Sequence, residues 1–153
     1  MKILTVIGTR PQFIKLIPEL DTVLVDTGQH WDNNMAGNFL SELWVREPEY
    51  SLKATTLPQM ISRLLPVLRK EKPGLVIVYG DTRSTLAGAR ATKKLGIKLA
   101  HIEAGVRCGD DTLEEERIRK EVDHLSDFLF CPIPSAYENL QKEKVKGEVY
   151  YFG

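Results

Sequence analysis

Leu75-Val76-Ile77-Val78-Tyr79 runs into Gly80-Asp81-Thr82, and Ile97-Lys98-Leu99-Ala100-His101-Ile102 runs into Glu103-Ala104-Gly105-Val106-Arg107. Each is an apolar run that breaks off into a short acidic loop containing glycine. Arg83 to Lys94, between them, predicts a helix, so the unit is strand–loop–helix–strand. A crossover of this kind joins parallel strands and is almost always right-handed. Both acidic loops then lie at the carboxyl end of one sheet, where open α/β sheets bind ligands. Asp81 and Glu103 are expected to face one crevice there, and a carboxylate pair in a crevice suggests proton chemistry more than packing.

Working outward, Ile3 to Ile7 predicts a buried strand and Thr22 to Asp26 a second one. Between them Pro11 suits the first position of a helix whose apolar stripe is Phe13, Ile14, Leu16, Ile17 and Leu20. Asn34 to Trp44 can be helical, and Glu47 to Thr56 predicts a loop. Leu57 to Lys70 predicts a helix that Pro66 should kink or restart. Downstream, Thr112 is placed to cap a helix from about Leu113 to Leu125. Asp127 to Phe130 predicts a strand, Pro134 to Lys142 a helix, and Glu148 to Phe152 a last strand. The alternation predicts a doubly wound parallel sheet, a Rossmann-like α/β fold, in one domain over residues 1–153.

Bulk composition narrows the function. A length of 153 residues suits one domain with its own core, and 42% hydrophobic with 27% charged residues is a soluble globular profile. Lys plus Arg and Asp plus Glu are both 21, so the basic footprint of a nucleic-acid binder is missing. Cys108 and Cys131 have no metal-type spacing and fit a reducing compartment as free thiols. Met1 to Ile7 is too short an apolar run for a signal peptide, and no stretch approaches a membrane span. The expectation is a cytoplasmic protein with no metal or redox cofactor, no nucleic-acid partner and no membrane partner.

Several loops carry chemistry beside a plainer alternative. Gly8-Thr9-Arg10-Pro11, with Lys15 one turn into the next helix, could hold a phosphate or carboxylate at a helix N-terminus. It could equally be a tight turn with two surface cations, and it lacks the Gly-x-Gly-x-x-Gly pattern of a dinucleotide site. Thr27-Gly28-Gln29-His30 could hydrogen-bond a sugar or nucleotide, or only shape a turn. For Asp81 the plain alternative is a helix cap, and for Glu103 a pair with Arg107. Glu115 and Arg119, four apart on the next helix, could form an ordinary surface pair.

Taken in order, Gly8-Thr9-Arg10-Pro11 with Ile14-Lys15, Thr27-Gly28-Gln29-His30, Gly80-Asp81-Thr82, His101 to Arg107, and Glu115-Glu116 with Arg119 resemble a known series. It is similar to the N-terminal domain of the non-hydrolysing UDP-N-acetylglucosamine 2-epimerases, and Asp123 to Asp127 and Phe130-Cys131-Pro132 extend the likeness. The resemblance implies the N-terminal half of a glycosyltransferase-B-type fold, two Rossmann-like domains across a cleft. It also implies interconversion of UDP-GlcNAc and UDP-ManNAc: C2 deprotonation, anti elimination of UDP, and re-addition of UDP to a 2-acetamidoglucal.

By the same resemblance Asp81, Glu103 and Glu115 are the catalytic carboxylates, and Arg10, Lys15, Arg107 and Arg119 contact substrate, the first two near the diphosphate. Gln29 and His30 fall where some bacterial members bind a second, regulatory UDP-GlcNAc. The family's C-terminal nucleotide-binding domain is not in these residues, so the expectation is either a domain cut at the linker or half of a split enzyme whose C-terminal half is a separate chain; a homodimer is also expected, and the chain alone should have little or no activity. Two other readings compete: a hydrolysing relative that releases ManNAc and UDP, and a non-catalytic module that binds a nucleotide sugar or a partner.

Overall fold

The computed structural model describes residues 1–8, 21–28 and 48–151. The strands are β1 (Ile3–Ile7), β2 (Val23–Asp26), β3 (Tyr50–Ser51), β4 (Leu75–Tyr79), β5 (Lys98–Ile102), β6 (Phe128–Cys131) and β7 (Glu148–Tyr151). The helices are α1 (Leu57–Glu71), α2 (Arg83–Lys94), α3 (Glu114–Leu125) and α4 (Pro134–Glu143). All seven strands pair in parallel in the order β3-β2-β1-β4-β5-β6-β7. The doubly wound parallel sheet read from the sequence is therefore the sheet observed. The expected helix after Pro11 and that at Asn34 to Trp44 lie outside the described residues.

Alternation within the strands decides the layers. Leu4, Val6, Val76, Val78 and Leu99 point to one face, where Leu64 and Leu68 of α1, Leu86 of α2 and Val122 of α3 cover them. Ile7, Leu24, Ile77, Tyr79 and Ala100 form a second buried cluster on the other face. Strands apolar on both sides are the mark of a parallel sheet between layers. Leu129 and Cys131 of β6 pack against Ala136 and Leu140 of α4. Among the described residues no helix is long and apolar enough to cross a membrane.

Three local expectations are corrected. The loop expected from Glu47 to Thr56 contains β3, docked on β2 through Leu52 N–H to Asp26 O at 2.8 Å and Ala54 N–H to Thr27 O at 2.8 Å. Two residues are too few for any periodicity to announce a strand. Of the two outcomes expected at Pro66, the restart does not occur: α1 is one helix from Leu57 to Glu71. Pro66 is on the exposed side, where water can satisfy the carbonyl that proline leaves without a donor. Thr112 does not cap α3: its N–H and hydroxyl both donate to Asp110 Oδ1, at 3.0 and 2.5 Å, and the cap position is Leu113. Glu114, Glu115 and Glu116 in the first turn complement the helix dipole instead.

Helix α2 is seated on the sheet by a glycine. A methyl group at Gly88 would lie 2.7 Å from Val78 Cγ1 and 3.3 Å from Val6 Cβ. Gly88→Ala should gain about 1 kcal/mol in helix propensity but lose about 2–3 kcal/mol to overpacking. The expected net effect is a lower urea midpoint, with the loss largely relieved in a Val78→Ala background. A midpoint that rises on Gly88→Ala would show that the helix can lift without cost.

Candidate active site

Strand order reverses between β1 and β4, so the switch point lies at the loops after Ile7 and Tyr79. Gly8 lets these ends converge. A methyl group there would sit 1.9 Å from Ser84 Oγ and 2.3 Å from Thr27 Oγ1, two hydroxyls that share a 2.6 Å hydrogen bond. The N-terminus of α2 is capped by Thr82, whose hydroxyl accepts from Thr85 N–H at 3.3 Å while Thr82 N–H donates to Thr85 Oγ1 at 3.1 Å. Thr85 Oγ1 in turn donates to Tyr79 O at 2.6 Å. The cap is thus Thr82 and not Asp81, whose carboxylate turns to α3.

There Arg119 Nη2 meets Asp81 Oδ2 at 2.5 Å. The other arm of the guanidinium lies 3.5 Å from Glu116 Oε1. Glu116 is fully buried, and its carboxylate accepts the N–H groups of Cys108 at 3.0 Å and Gly109 at 2.7 Å. Burial would push the Glu116 carboxyl up; the Gly109 and Cys108 donors and the Arg119 charge outweigh it and hold the group below its ordinary value. Arg119 is therefore oriented from behind by a carboxylate that also pins the loop after Arg107.

Glu103 has φ +73°, the left-handed region that costs a non-glycine residue about 1–2 kcal/mol. The conformation brings its carboxylate over the neighbouring loop: a methyl group added to Gly80 would lie 3.8 Å from Glu103 Oε2. The two acidic loops are stitched by Gly80 N–H to Ile102 O at 3.0 Å. Asp81 and Glu103 thus share one half-exposed crevice edge at the carboxyl ends of β4 and β5.

Beneath this edge is a buried chain of polar groups. His101, on the helix-facing side of β5, places Nε2 2.7 Å from Gly80 O and Nδ1 2.6 Å from Asp123 Oδ1. Asp123 Oδ2 accepts Gly105 N–H at 3.0 Å and pairs with Arg107 Nη1 at 2.8 Å. Arg107 also donates to Glu143 through Nε and Nη2, both at 2.9 Å, and Glu143 lies 2.9 Å from His124 Nε2. Gly105, at φ +85°, lies so close to α4 that a methyl group would meet Ala136 O at 2.4 Å.

Of the residues expected at the site, Asp81, Glu103 and Arg119 come together. Arg119 does not pair with Glu115; it bonds Asp81 and Glu116, and Glu115 stands exposed in the first turn of α3. Arg107, expected to touch substrate, points inward to Asp123 and Glu143, with side-chain exposure of 9%. Arg10, Lys15, Gln29 and His30 lie outside the described residues. Sequence reasoning passed over His101, Glu116 and Asp123. Their signal was present: residues 116, 119 and 123 fall on one helix face, and a histidine inside an apolar parallel strand requires polar partners. It also passed over Asp26 at the end of β2, whose carboxyl is pushed up by burial, against the Gly28 N–H it accepts at 2.9 Å. Among the described residues no cluster of His, Cys, Asp and Glu could hold a metal ion.

Fold and site together define a doubly wound α/β domain with a carboxylate–guanidinium cluster at its carboxyl strand ends beside the switch point, the place where sheets of this class bind ligands. The sequence profile of the UDP-N-acetylglucosamine 2-epimerase family matches residues 14–153. A UDP-N-acetylglucosamine 2-epimerase homolog of Methanococcus maripaludis is 42% identical over 100% of this chain and 46% of its own length. The UDP-2,3-diacetamido-2,3-dideoxy-D-glucuronate 2-epimerase of Pseudomonas aeruginosa is 47% identical over 94% of this chain and 45% of its own. The crystal structure of Methanocaldococcus jannaschii UDP-GlcNAc 2-epimerase in complex with UDP-GlcNAc and UDP superposes with a TM-score of 0.90 at 37% identity, over 100% of this chain and 46% of that one. The chain belongs to the UDP-N-acetylglucosamine 2-epimerase family, and it spans about half the length of the curated relatives it matches.

Because the folded state holds the Glu116 carboxyl below its ordinary value, its stabilisation is complete above the unfolded-state value and is lost as pH falls through the folded one. Glu116→Gln should therefore flatten the loss of stability between about pH 6 and about pH 3, and lower stability at neutral pH. Urea midpoints across this range check it; parallel curves for both proteins would contradict the role.

Proposed function

We propose that this domain forms one wall of the active site of a UDP-GlcNAc 2-epimerase that interconverts UDP-GlcNAc and UDP-ManNAc. The observation that supports it most is the acidic edge itself: in a chain of this family, Asp81, held by Arg119, and Glu103, at positive φ with its carboxylate beside Gly80, lie at adjacent strand ends. A base at this edge takes the C2 proton, the C1–O bond to UDP breaks, and its electron pair leaves with UDP as the C2 carbanion pair closes the C1=C2 bond. UDP oxygen then re-adds at C1 while a proton is delivered to the opposite face of C2. The sequence is redox-neutral. Asp81, Glu103 and Glu115 supply base and acid, Arg119 orients Asp81 and the sugar, and Arg107 braces the Glu103 loop.

Arg10 and Lys15 are proposed to face the diphosphate, and Gln29 and His30 a second UDP-GlcNAc. The remaining half of the relatives' length, as the same chain or a separate one, is proposed to close the cleft as the C-terminal domain of a glycosyltransferase-B-type enzyme. A homodimer in the cytoplasm completes the proposal.

The identity to the Pseudomonas aeruginosa enzyme favours a second reading, the same C2 inversion on another UDP-linked 2-acetamido sugar. The complete enzyme containing this domain decides between them. In D2O it should convert UDP-GlcNAc to UDP-ManNAc with deuterium entering at C2. Asp81→Asn and Glu103→Gln should each lower kcat by about 100-fold or more. Residues 1–153 alone should not turn the substrate over. Turnover of only the diacetamido-glucuronate sugar supports the second reading, accumulation of free UDP supports the hydrolysing one, and unchanged rates in both variants reduce the domain to a binding module.

A further inference from the structure

We propose that His101 and Asp123 form a buried imidazolium–carboxylate pair that positions both acidic loops of the crevice. Both side chains are fully buried. His101 Nε2 faces Gly80 O, which can only accept, so Nε2 carries a proton. Nδ1 lies 2.6 Å from Asp123 Oδ1, and a bare nitrogen against a bare carboxylate oxygen would set two lone pairs face to face between fully buried side chains. A proton occupies that contact too. It belongs to the imidazole, because Asp123 also accepts Gly105 N–H and pairs with the Arg107 guanidinium, both of which favour the carboxylate.

Among the described residues, the polar groups around the pair come from several packed elements. They are the Gly80 carbonyl from the loop after β4, Gly105 N–H and Arg107 from the loop after β5, the Cys131 thiol of β6, and, behind Arg107, Glu143 of α4 with His124 of α3. Gly80 directly precedes Asp81, and Gly105 follows Glu103 by two residues. One pair, His101 of β5 and Asp123 of α3, therefore holds the backbone beside each crevice carboxylate, and α3 is the helix that also presents Arg119. Neither residue touches the crevice, so their role in the reaction is positioning.

The catalytic readout rests on the epimerase reading; the proton count does not. The chain has three histidines, so in 15N-histidine-labelled protein His30→Gln and His124→Gln identify the other two ring systems and leave His101 assigned. At neutral pH both ring nitrogens of His101 should show directly bonded protons. A His101 Nδ1 without one overturns the pair, whatever the enzyme's substrate. Asp123→Asn keeps an acceptor for Gly105 N–H and Arg107 and offers an amide donor to Nδ1. It should leave His101 protonated at Nε2 alone and speed amide exchange in both acidic loops together. In the complete enzyme it should lower kcat about 10-fold or more with KM for UDP-GlcNAc within about 2-fold. Loss of the second proton with exchange and kcat unchanged would overturn the positioning role.

Discussion

Asp123 takes a carboxylate fully out of water, and that burial is tolerable only because three donors from β5 and the loop after it converge on it. His101 Nδ1 comes from β5, Gly105 N–H from the loop that follows it, and the Arg107 guanidinium from the end of that loop. Each donor has its own second contact: Gly80 O for His101, Glu143 for Arg107, and Asn139 Nδ2 donating to Gly105 O at 3.0 Å. Removing one member of such a set leaves an unpaired buried charge, a cost of about 3–5 kcal/mol. The carboxyl end of the sheet is thereby tied to α3 and α4 through one residue. Helix α3 has little freedom to shift without also moving the loops it anchors.

That constraint explains how Glu103 can stay at positive φ. The unfavourable backbone conformation costs about 1–2 kcal/mol, whereas each hydrogen bond around it contributes about 1 kcal/mol net. Ala104 N–H to Phe130 O, Gly105 N–H to Asp123 and Gly80 N–H to Ile102 O together exceed the strain. With glycine at 103 the turn would form more easily, but no carboxylate would overlie Gly80. The strain holds a carboxylate where the backbone favours glycine.

The architecture was legible in the sequence because it depends on period and punctuation. Apolar runs that end in glycine-containing loops place Asp81 and Glu103 at equivalent strand ends whatever their partners do. Partner choice was not legible. Glu115 and Glu116 are adjacent in the chain but about 100° apart around a helix, so one stands in solvent and the other is buried under the loop at Cys108 and Gly109. Arg119 has acidic neighbours at both four and three residues upstream, and only the packing of α3 against α2 brings Asp81 within its reach. Arg107 follows Glu103 by four residues in a loop, where helical spacing rules carry no information, and it reaches α4 instead. Strand β3 escaped notice because its extension is imposed by β2 and not by its own residues.

Two ladders of alternating donors and acceptors start from the adjacent residues Gly80 and Asp81. One runs Asp81–Arg119–Glu116 and ends on the N–H groups of Cys108 and Gly109. The other runs from the Gly80 carbonyl through His101, Asp123, Arg107 and Glu143 to His124. Alternation keeps every buried charge beside its opposite, which is what allows so many ionisable groups beneath one crevice. Neither ladder can conduct a proton along its length. Each contains an arginine, which does not release its proton in proteins, and the first ends in backbone amides. The ladders therefore fix geometry and carry no proton away from the crevice edge. For the proposed removal and return of a proton at C2, that separation would keep the crevice edge open to changes of charge and the framework fixed in place.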